Sequence, residues 1–150
     1  RGSLMDIGSG NTYPACALSN FAPHPFVIDG VECNSMEGFL QSIKFKDVEM
    51  QKFVCTLVGK SAKFKGKNKK WFSTQTLYWQ GKEYKRDSKE YDELLTKAFD
   101  CLFQNEGFRK ALAATKGCSL THSMGKNKKS ETVLTSSEFI SQLNRLRNLL

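Results

Sequence analysis

The sequence predicts an α+β fold, a mainly α-helical single domain with short antiparallel strands. Two dipeptides favoured in tight β-turns, Asp-Gly within residues 26–33 and Gln-Gly within residues 76–84, each separate short β-prone runs. Capping residues begin several longer segments that are predicted to be helical. With 150 residues, 39% hydrophobic and 11% aromatic, the chain can bury one sizeable core. Residues 1–4 resemble a vector remnant, so the predicted domain spans residues 5–150.

The first two helices are predicted directly after the Asp-Gly hairpin. Asn34, with Glu37 three residues later, approaches the capping-box pattern and predicts a helix that continues to about Lys46. A second helix is predicted over residues 47–58, and Gly59 is expected to end it because glycine commonly follows the last helical turn.

Three further helices are predicted in the second half of the chain. Capping-box spacing begins two of them, over residues 87–103 and 135–150, and a glycine ends the third, over residues 106–117. No internal repeat or long linker interrupts these segments, so we expect them to pack into the same domain.

Lysines dominate the charge of the chain. A net charge of +8 and a pI of about 9.3 favour an anionic partner, such as a phosphorylated nucleotide or a nucleic acid. Residues 60–70 hold six lysines and no acidic residue, which predicts a surface loop. This run could follow a phosphate backbone through its amines, which belong to Lys60, Lys63, Lys65, Lys67, Lys69 and Lys70.

The cysteines and the hydropathy pattern argue against several classes of protein. Five scattered cysteines and two histidines lack zinc-ligand spacing and form a poor disulfide framework, which predicts reduced thiols in a cytoplasmic protein. We therefore expect no metal and no redox cofactor. No apolar run approaches the ~18 residues that a membrane span needs, so no membrane association is expected.

A row of polar side chains on the first predicted helix is a candidate reacting surface. At ~100° per residue, Glu37, Gln41 and Lys44 lie within ~60° of one another, away from the apolar stripe of the same helix. Two interpretations are open. The row can face water, where a first-turn glutamate stabilises the helix dipole, or it can face a pocket, where its glutamate and lysine react.

The segment of residues 17–26, ALSNFAPHPF, is a second candidate, because its two prolines make it stiffer than an ordinary loop. Ser19 and Asn20 could simply form a local side-chain turn. Alternatively, they could present a hydroxyl and an amide to a ligand, with Phe21 as an apolar wall.

Four more residues are weaker candidates for substrate contacts. Trp71 could stack on a base or belong to the core. His122 could hydrogen-bond the substrate or serve a structural role. Lys63 and Arg86 could contact phosphate groups.

Taken together, these segments resemble a known family. Residues 18–45, LSNFAPHPFVIDGVECNSMEGFLQSIKF, resemble the N-terminal motif of the YbiA-like, or NADAR, family. The AKFKG of residues 62–66 resembles its Ala-Lys-x-x-Gly element, and residues 103–123 and 138–150 resemble its closing helices. The resemblance covers about residues 18–149.

Members of this family are N-glycosidases, so the resemblance implies an enzyme acting on an anionic ribosyl substrate. It implies Glu37 and Lys44 as the catalytic pair, with a pocket shaped by Ser19, Asn20, Phe21 and Gln41. The sequence differs from the common pattern at Gly38, where an aromatic residue or histidine is frequent. It also differs over residues 120–124, which lack the acidic residue and Trp-Gly pair of many relatives.

The function expected from the resemblance and the charge is removal of ADP-ribose from guanine bases in nucleic acid. One alternative keeps the N-glycosidase chemistry but acts on phosphorylated riboflavin-pathway intermediates or on a soluble ADP-ribosyl metabolite. The other is a non-catalytic module that binds ADP-ribose or nucleic acid. Retention of both Glu37 and Lys44 favours an enzyme over this module.

Overall fold

The computed structural model describes residues 2–67 and 70–150, which form seven α-helices and six short strands. The helices are α1 (Met36–Ser42), α2 (Val48–Cys55), α3 (Gly59–Lys65), α4 (Trp71–Thr74), α5 (Lys89–Leu102), α6 (Glu106–Ala113) and α7 (Ser136–Arg147). The strands are β1 (Leu4–Asp6), β2 (Phe26–Ile28), β3 (Val31–Cys33), β4 (Thr76–Trp79), β5 (Lys82–Lys85) and β6 (Ser119–Thr121). Within these described residues, none of the helices has the length and apolar character needed to cross a bilayer.

Both predicted hairpins are confirmed. Strands β2 and β3 pair antiparallel through a turn in which Asp29 and Gly30 have φ of 49° and 76°. Strands β4 and β5 do the same through Gln80 and Gly81, with φ of 52° and 81°. Positive φ at both central residues matches the right-handed twist of the strands, and glycine reaches it without steric cost.

The third strand pair was not predicted, because β1 and β6 are parallel and lie at distant points of the chain. Leu4 pairs with Ser119, and the Ser119 N–H donates to the Ser3 carbonyl at 2.9 Å. Ser3 and Leu4 therefore contribute to the pairing, although they belong to the four residues predicted to be a vector remnant. That origin stays a prediction, and Arg1 lies outside the described residues.

Helix α1 is central to the fold, because it packs against α2, α3 and α5. Its apolar stripe is buried, and Phe39 meets Trp79 of β4 edge-to-face with ring centroids 5.0 Å apart. Gly38 allows the close approach of the chain after α2, because a Cβ at that position would lie 2.7 Å from the Leu57 carbonyl oxygen. A larger residue at Gly38 would therefore clash with the backbone.

The first helix begins one residue later than the capping pattern predicts. Ser35, not Asn34, is the N-cap, and its Oγ accepts from the Gly38 N–H at 3.0 Å. Asn34 instead donates through Nδ2 to the Thr56 carbonyl at 2.8 Å. Glu37 is thus not the acid of a capping box, and the helix ends at Ser42, before the predicted Lys46.

The predicted loop over residues 60–70 is wrong for its first half, which is helix α3. Gly59 has φ of 54° and begins this helix; it does not end α2, which stops at Cys55. Ala62 is fully buried and anchors α3, while the lysines project outward. Charge repulsion among exposed lysines is small compared with this packing, so the composition was misleading. Lys69 lies outside the described residues.

The later helices agree with the sequence more closely. Helix α7 begins with the predicted capping box, in which Thr135 Oγ1 accepts from the Glu138 N–H and the Glu138 carboxylate accepts from the Thr135 N–H. Helix α5 is capped by Ser88, one residue after the predicted Asp87, and α6 is capped by Asn105. Capping side chains therefore located the starts of α5 and α7 to within a residue, whereas α6 ends at Ala113, before the predicted Gly117.

Candidate active site

A cavity of about 580 Å³ opens beside the polar row of α1. We call it the α1 cavity. Nine of the ten predicted site residues line it, although they come from separate parts of the chain: Ser19, Asn20, Phe21, Glu37, Gln41, Lys44, Lys63, Trp71 and His122. The polar row of α1 therefore faces a cavity rather than open solvent.

The loop before β2 is fixed against the start of α1. Ser19 Oγ accepts from the Phe21 N–H at 3.1 Å, so the local side-chain turn is present. The Asn20 carbonyl accepts from the Glu37 N–H at 2.9 Å, which ties the loop to the first turn of the helix. The loop also lines the α1 cavity, and its contact with a ligand stays a prediction.

Gln41 holds the carboxylate of Glu37 from within the helix. Its Nε2 donates to Glu37 Oε2 at 2.7 Å, and the side chain is 7% exposed. Its Oε1 is buried without a hydrogen-bond partner in the described part of the chain. A Cβ at Gly66 would lie 2.0 Å from this oxygen, so only glycine fits beside it. This contact gives a physical reason for the glycine of AKFKG.

Burial shifts Glu37 and Lys44 in opposite directions. Desolvation raises the pKa of the Glu37 carboxyl, although the Gln41 hydrogen bond and the charges of Lys44 and Lys63 act against the rise. Desolvation lowers the pKa of the Lys44 amine, against the attraction of Glu37, and the charges of Lys126 and Lys63 lower it further. Both shifts favour the uncharged forms.

This pair can therefore hold one proton in two ways, as a carboxylate with an ammonium or as a carboxylic acid with an amine. The ion pairs formed by the described residues do not include Glu37 with Lys44, so direct contact does not fix the charged arrangement. Because burial penalises both charges, it favours the neutral arrangement more than it would for an exposed pair. In the neutral arrangement the carboxylic acid can donate a proton, and the free amine can attack an electrophilic carbon.

The remaining charges around the cavity favour an anionic ligand. Four lysines line it, Lys44, Lys60, Lys63 and Lys126, against the carboxylates of Glu37 and Glu131. Apart from Lys44, these lysines are solvent-exposed and lie at the cavity mouth. Phosphate groups entering the cavity would meet this positive field.

His122 is held firmly by its surroundings as well as lining the cavity. Its Nδ1 lies 2.8 Å from the Ile7 carbonyl oxygen, which can only accept, so Nδ1 carries a proton and donates it. The ring packs edge-on against Phe139 at 5.0 Å, and Gly125 leaves no space for a side chain beside it. Both interpretations of this residue therefore remain compatible with its position.

Trp71 likewise combines the two predicted possibilities. It is 7% exposed and belongs to the hydrophobic core, yet its remaining surface lines the α1 cavity at the start of α4. An indole in this position presents a rigid apolar wall to a ligand at little entropic cost.

The sequence is similar to bacteriophage proteins. A family model described as bacteriophage protein GP30.3 matches residues 12–148. The chain belongs to this bacteriophage family. A relative from Enterobacteria phage T4, named as an uncharacterized 17.1 kDa protein in the Gp30-rIII intergenic region, is 44% identical over 151 residues and the match covers 99% of each chain.

Among solved structures, the NMR structure of the E. coli protein YbiA is similar to this chain. The TM-score is 0.64 at 17% sequence identity, and the match covers 99% of this chain and 85% of YbiA. This similarity confirms the YbiA-like α+β fold that the motifs predicted.

Arg86 is the predicted substrate contact that the structure does not place in the cavity. It is 1% exposed, and its guanidinium binds the Glu138 carboxylate, with Nη2 to Oε1 at 2.7 Å. Its Nε donates to the Thr132 carbonyl at 2.8 Å. Tyr91 donates through its hydroxyl to the adjacent Val133 carbonyl at 2.6 Å. Arg86 therefore supports a wall of the cavity and is not retained as a phosphate contact.

This wall contains residues that sequence reasoning missed. Lys126, Glu131 and residues 132–134 line the cavity, although they follow α1 by more than 80 positions. They belong to irregular chain and a short 3₁₀ turn, where no periodic pattern marks a face. Among the described residues, no group of three or more His, Cys, Asp or Glu side chains is arranged to hold a metal ion.

Breaking the buried ion pair is expected to destabilise the fold. Glu138→Ala should lower the free energy of unfolding by roughly 3–5 kcal/mol, because it leaves the Arg86 guanidinium buried without its carboxylate. Glu49→Ala, which removes the exposed partner of Lys52, should cost less than about 1 kcal/mol. Urea denaturation measures both changes. Equal effects for the two variants would contradict the role given to Arg86.

Proposed function

We propose that the protein is an N-glycosidase that hydrolyses the bond between ribose C1′ and a nitrogen atom, releasing ADP-ribose from guanine bases in nucleic acid. The observation that carries this proposal is the desolvated Glu37 and Lys44 pair, facing a cavity whose mouth is lined with lysines. The acid supplies a proton, the amine supplies a nucleophile, and the lysines attract the phosphates of the substrate.

The proposed reaction begins with proton transfer from the Glu37 carboxyl to the ribose ring oxygen as the C1′–O4′ bond breaks. The neutral Lys44 amine adds to C1′, and its surplus proton passes to the leaving nitrogen as the C1′–N bond breaks. The resulting imine between Lys44 and C1′ is hydrolysed by water, which releases the sugar and restores the amine and the acid. Each turnover consumes one water molecule.

Gln41 would position the acid for this step. Its amide Nε2 donates to Glu37 Oε2 at 2.7 Å and so fixes the orientation of the carboxyl group. A carboxyl held in one orientation can deliver its proton to a defined atom of the substrate.

A specific surface favours a nucleic-acid substrate over a soluble one. Phe64 and Phe53 are 74% and 51% exposed, and the amines of Lys67 and Lys65 lie over their rings at 5.4 and 5.7 Å. Phe64 and Lys65 lie on helix α3, which also lines the cavity mouth through Lys63. Exposed aromatic rings interleaved with lysines suit the bases and phosphates of a single strand.

Replacing Lys65 and Lys67 by glutamine should weaken binding of a single-stranded oligonucleotide and flatten its salt dependence. Loss of two phosphate contacts should reduce the slope of log K against log salt by about 1.4. Fluorescence anisotropy at several salt concentrations measures this slope. A matched double variant, Lys82→Gln with Lys89→Gln, removes the same charge from β5 and α5 and should leave the slope unchanged. An equal loss in both variants would contradict a nucleic-acid surface on α3.

The activity itself is tested by incubating the protein with three substrates: an ADP-ribosylated guanine oligonucleotide, a soluble ADP-ribosyl nucleotide and a phosphorylated riboflavin precursor. Mass spectrometry should detect release of ADP-ribose and restoration of unmodified guanine. Turnover of the riboflavin precursor alone would select the metabolic alternative. Tight binding without turnover of any of the three would favour the non-catalytic module.

A further inference from the structure

A second cavity of about 430 Å³ lies next to the α1 cavity, and we call it the β4 cavity. Lys44 and Trp71 line both cavities, so these two side chains mark their boundary. Beyond that boundary the β4 cavity is lined by Tyr78 and Thr76 of β4, together with Lys46 and Lys70.

We propose that the β4 cavity binds the leaving nucleotide, with its base against Tyr78 and Trp71 and its phosphate near Lys46 and Lys70. The inference rests on the proposed function for the identity of the reaction. It assigns the two halves of the substrate to two cavities, and it places the bond that breaks beside Lys44, the reacting residue that both cavities share.

The distribution of charge supports this division of the substrate. The α1 cavity is lined by lysines of α3 and by Lys126, which suit the diphosphate of the substrate. It also contains the acid Glu37, which suits the reacting ribose. The β4 cavity combines aromatic rings and hydroxyls with two exposed lysines and one carboxylate, that of Asp47. Aromatic faces suit a flat base, because stacking does not require a particular hydrogen-bond pattern.

Tyr78 is rigidly placed for this role. Its N–H donates to the Ile43 carbonyl at the end of α1, and its carbonyl accepts from Gln51 Nε2, both at 2.8 Å. Gln51 is fully buried and also donates to the Phe45 carbonyl at 2.8 Å. The backbone of Tyr78 is therefore fixed relative to the end of α1, next to Lys44, while its side chain stays partly exposed. A fixed backbone reduces the conformational freedom that is lost when a base binds.

The experiment measures binding of two probes, guanosine monophosphate and ADP-ribose, to the whole protein by calorimetry. Tyr78→Leu should weaken binding of guanosine monophosphate by about fivefold or more, the low end for loss of one stacked base, and change ADP-ribose binding little. Lys63→Gln with Lys126→Gln should do the reverse. Tyr84→Leu alters a partly exposed tyrosine of the neighbouring strand outside the cavity and serves as the matched control.

Wild-type protein should bind both probes at once, because they occupy different cavities. Competition between the probes would overturn the inference, and so would a Tyr78→Leu variant that binds guanosine monophosphate normally or loses both probes together. If guanosine monophosphate binding depends on Tyr78 while ADP-ribose does not bind at all, the nucleotide site stands and the proposed ADP-ribose chemistry fails. Thermal unfolding of each variant confirms that the compared proteins are folded.

Discussion

Glu37→Gln is expected to lower turnover by a hundredfold or more while the protein stays folded. Glutamine keeps the size of the side chain and can still accept the hydrogen bond from Gln41, but it has no acidic proton to donate. General acid–base groups typically contribute rate factors of about a hundred to ten thousand. Turnover of the ADP-ribosylated oligonucleotide at saturation measures the loss.

The same substitution should not reduce stability, which separates catalysis from structure. Since burial raises the pKa of Glu37, the folded protein binds its proton more tightly than the unfolded chain does. Wild type therefore loses stability as the pH rises through the unfolded and then the folded pKa, and this cost is fully present above the folded pKa. Glu37→Gln removes the cost, so its melting temperature at neutral pH should equal or exceed that of wild type.

Glu49 provides a matched control for this test. It occupies the same position in the first turn of α2 that Glu37 occupies in α1, but it is exposed and outside the α1 cavity. Glu49→Gln should leave turnover unchanged. Full activity in a folded Glu37→Gln protein would remove Glu37 from the mechanism, and a large fall in its melting temperature would indicate a structural role instead.

Local side-chain chemistry explains why much of the fold could be predicted. The Asp29-Gly30 turn and the Thr135 capping box each depend on a few adjacent residues, and both are present in the structure. The shared face of Glu37 and Gln41 also follows from helical spacing, whereas Lys44 lies two residues beyond the end of α1. Whether that face met solvent or a cavity depended on distant segments, and the family resemblance, rather than spacing, favoured the cavity.

The missed features depend on contacts between distant segments. The parallel pairing of Leu4 with Ser119 joins segments more than 100 residues apart, and three-residue strands carry too little pattern to predict it. Helix α3 depends on burial of Ala62, which its lysine-rich composition concealed. The ion pair of Arg86 could not be predicted, because its partner Glu138 is 52 positions away in the sequence. The strand pairing, the burial of Ala62 and the ion pair of Arg86 all depend on tertiary contacts that local sequence patterns do not show.

Lys44→Ala should abolish turnover, and borohydride added during turnover of wild-type protein should fix a sugar adduct on Lys44. Because burial lowers the pKa of this amine, a larger neutral fraction is present near neutral pH than for an ordinary lysine. Adduct formation should pass through a maximum as the pH rises, because the reacting pair must hold one proton between its carboxyl and its amine. Peptide mass spectrometry locates the adduct. Lys63 lines the same cavity and should carry none.

Lys44→Arg distinguishes a nucleophile from a charge that only stabilises the substrate. Arginine keeps the positive charge, but its guanidinium stays protonated and cannot form the imine with C1′. Lys63→Arg is the matched control, since it preserves a cation at the cavity mouth and should retain most of the activity. Substantial turnover by Lys44→Arg would contradict the imine mechanism. In that event Lys44 would serve through its charge, and attack on C1′ would fall to a water molecule activated by Glu37.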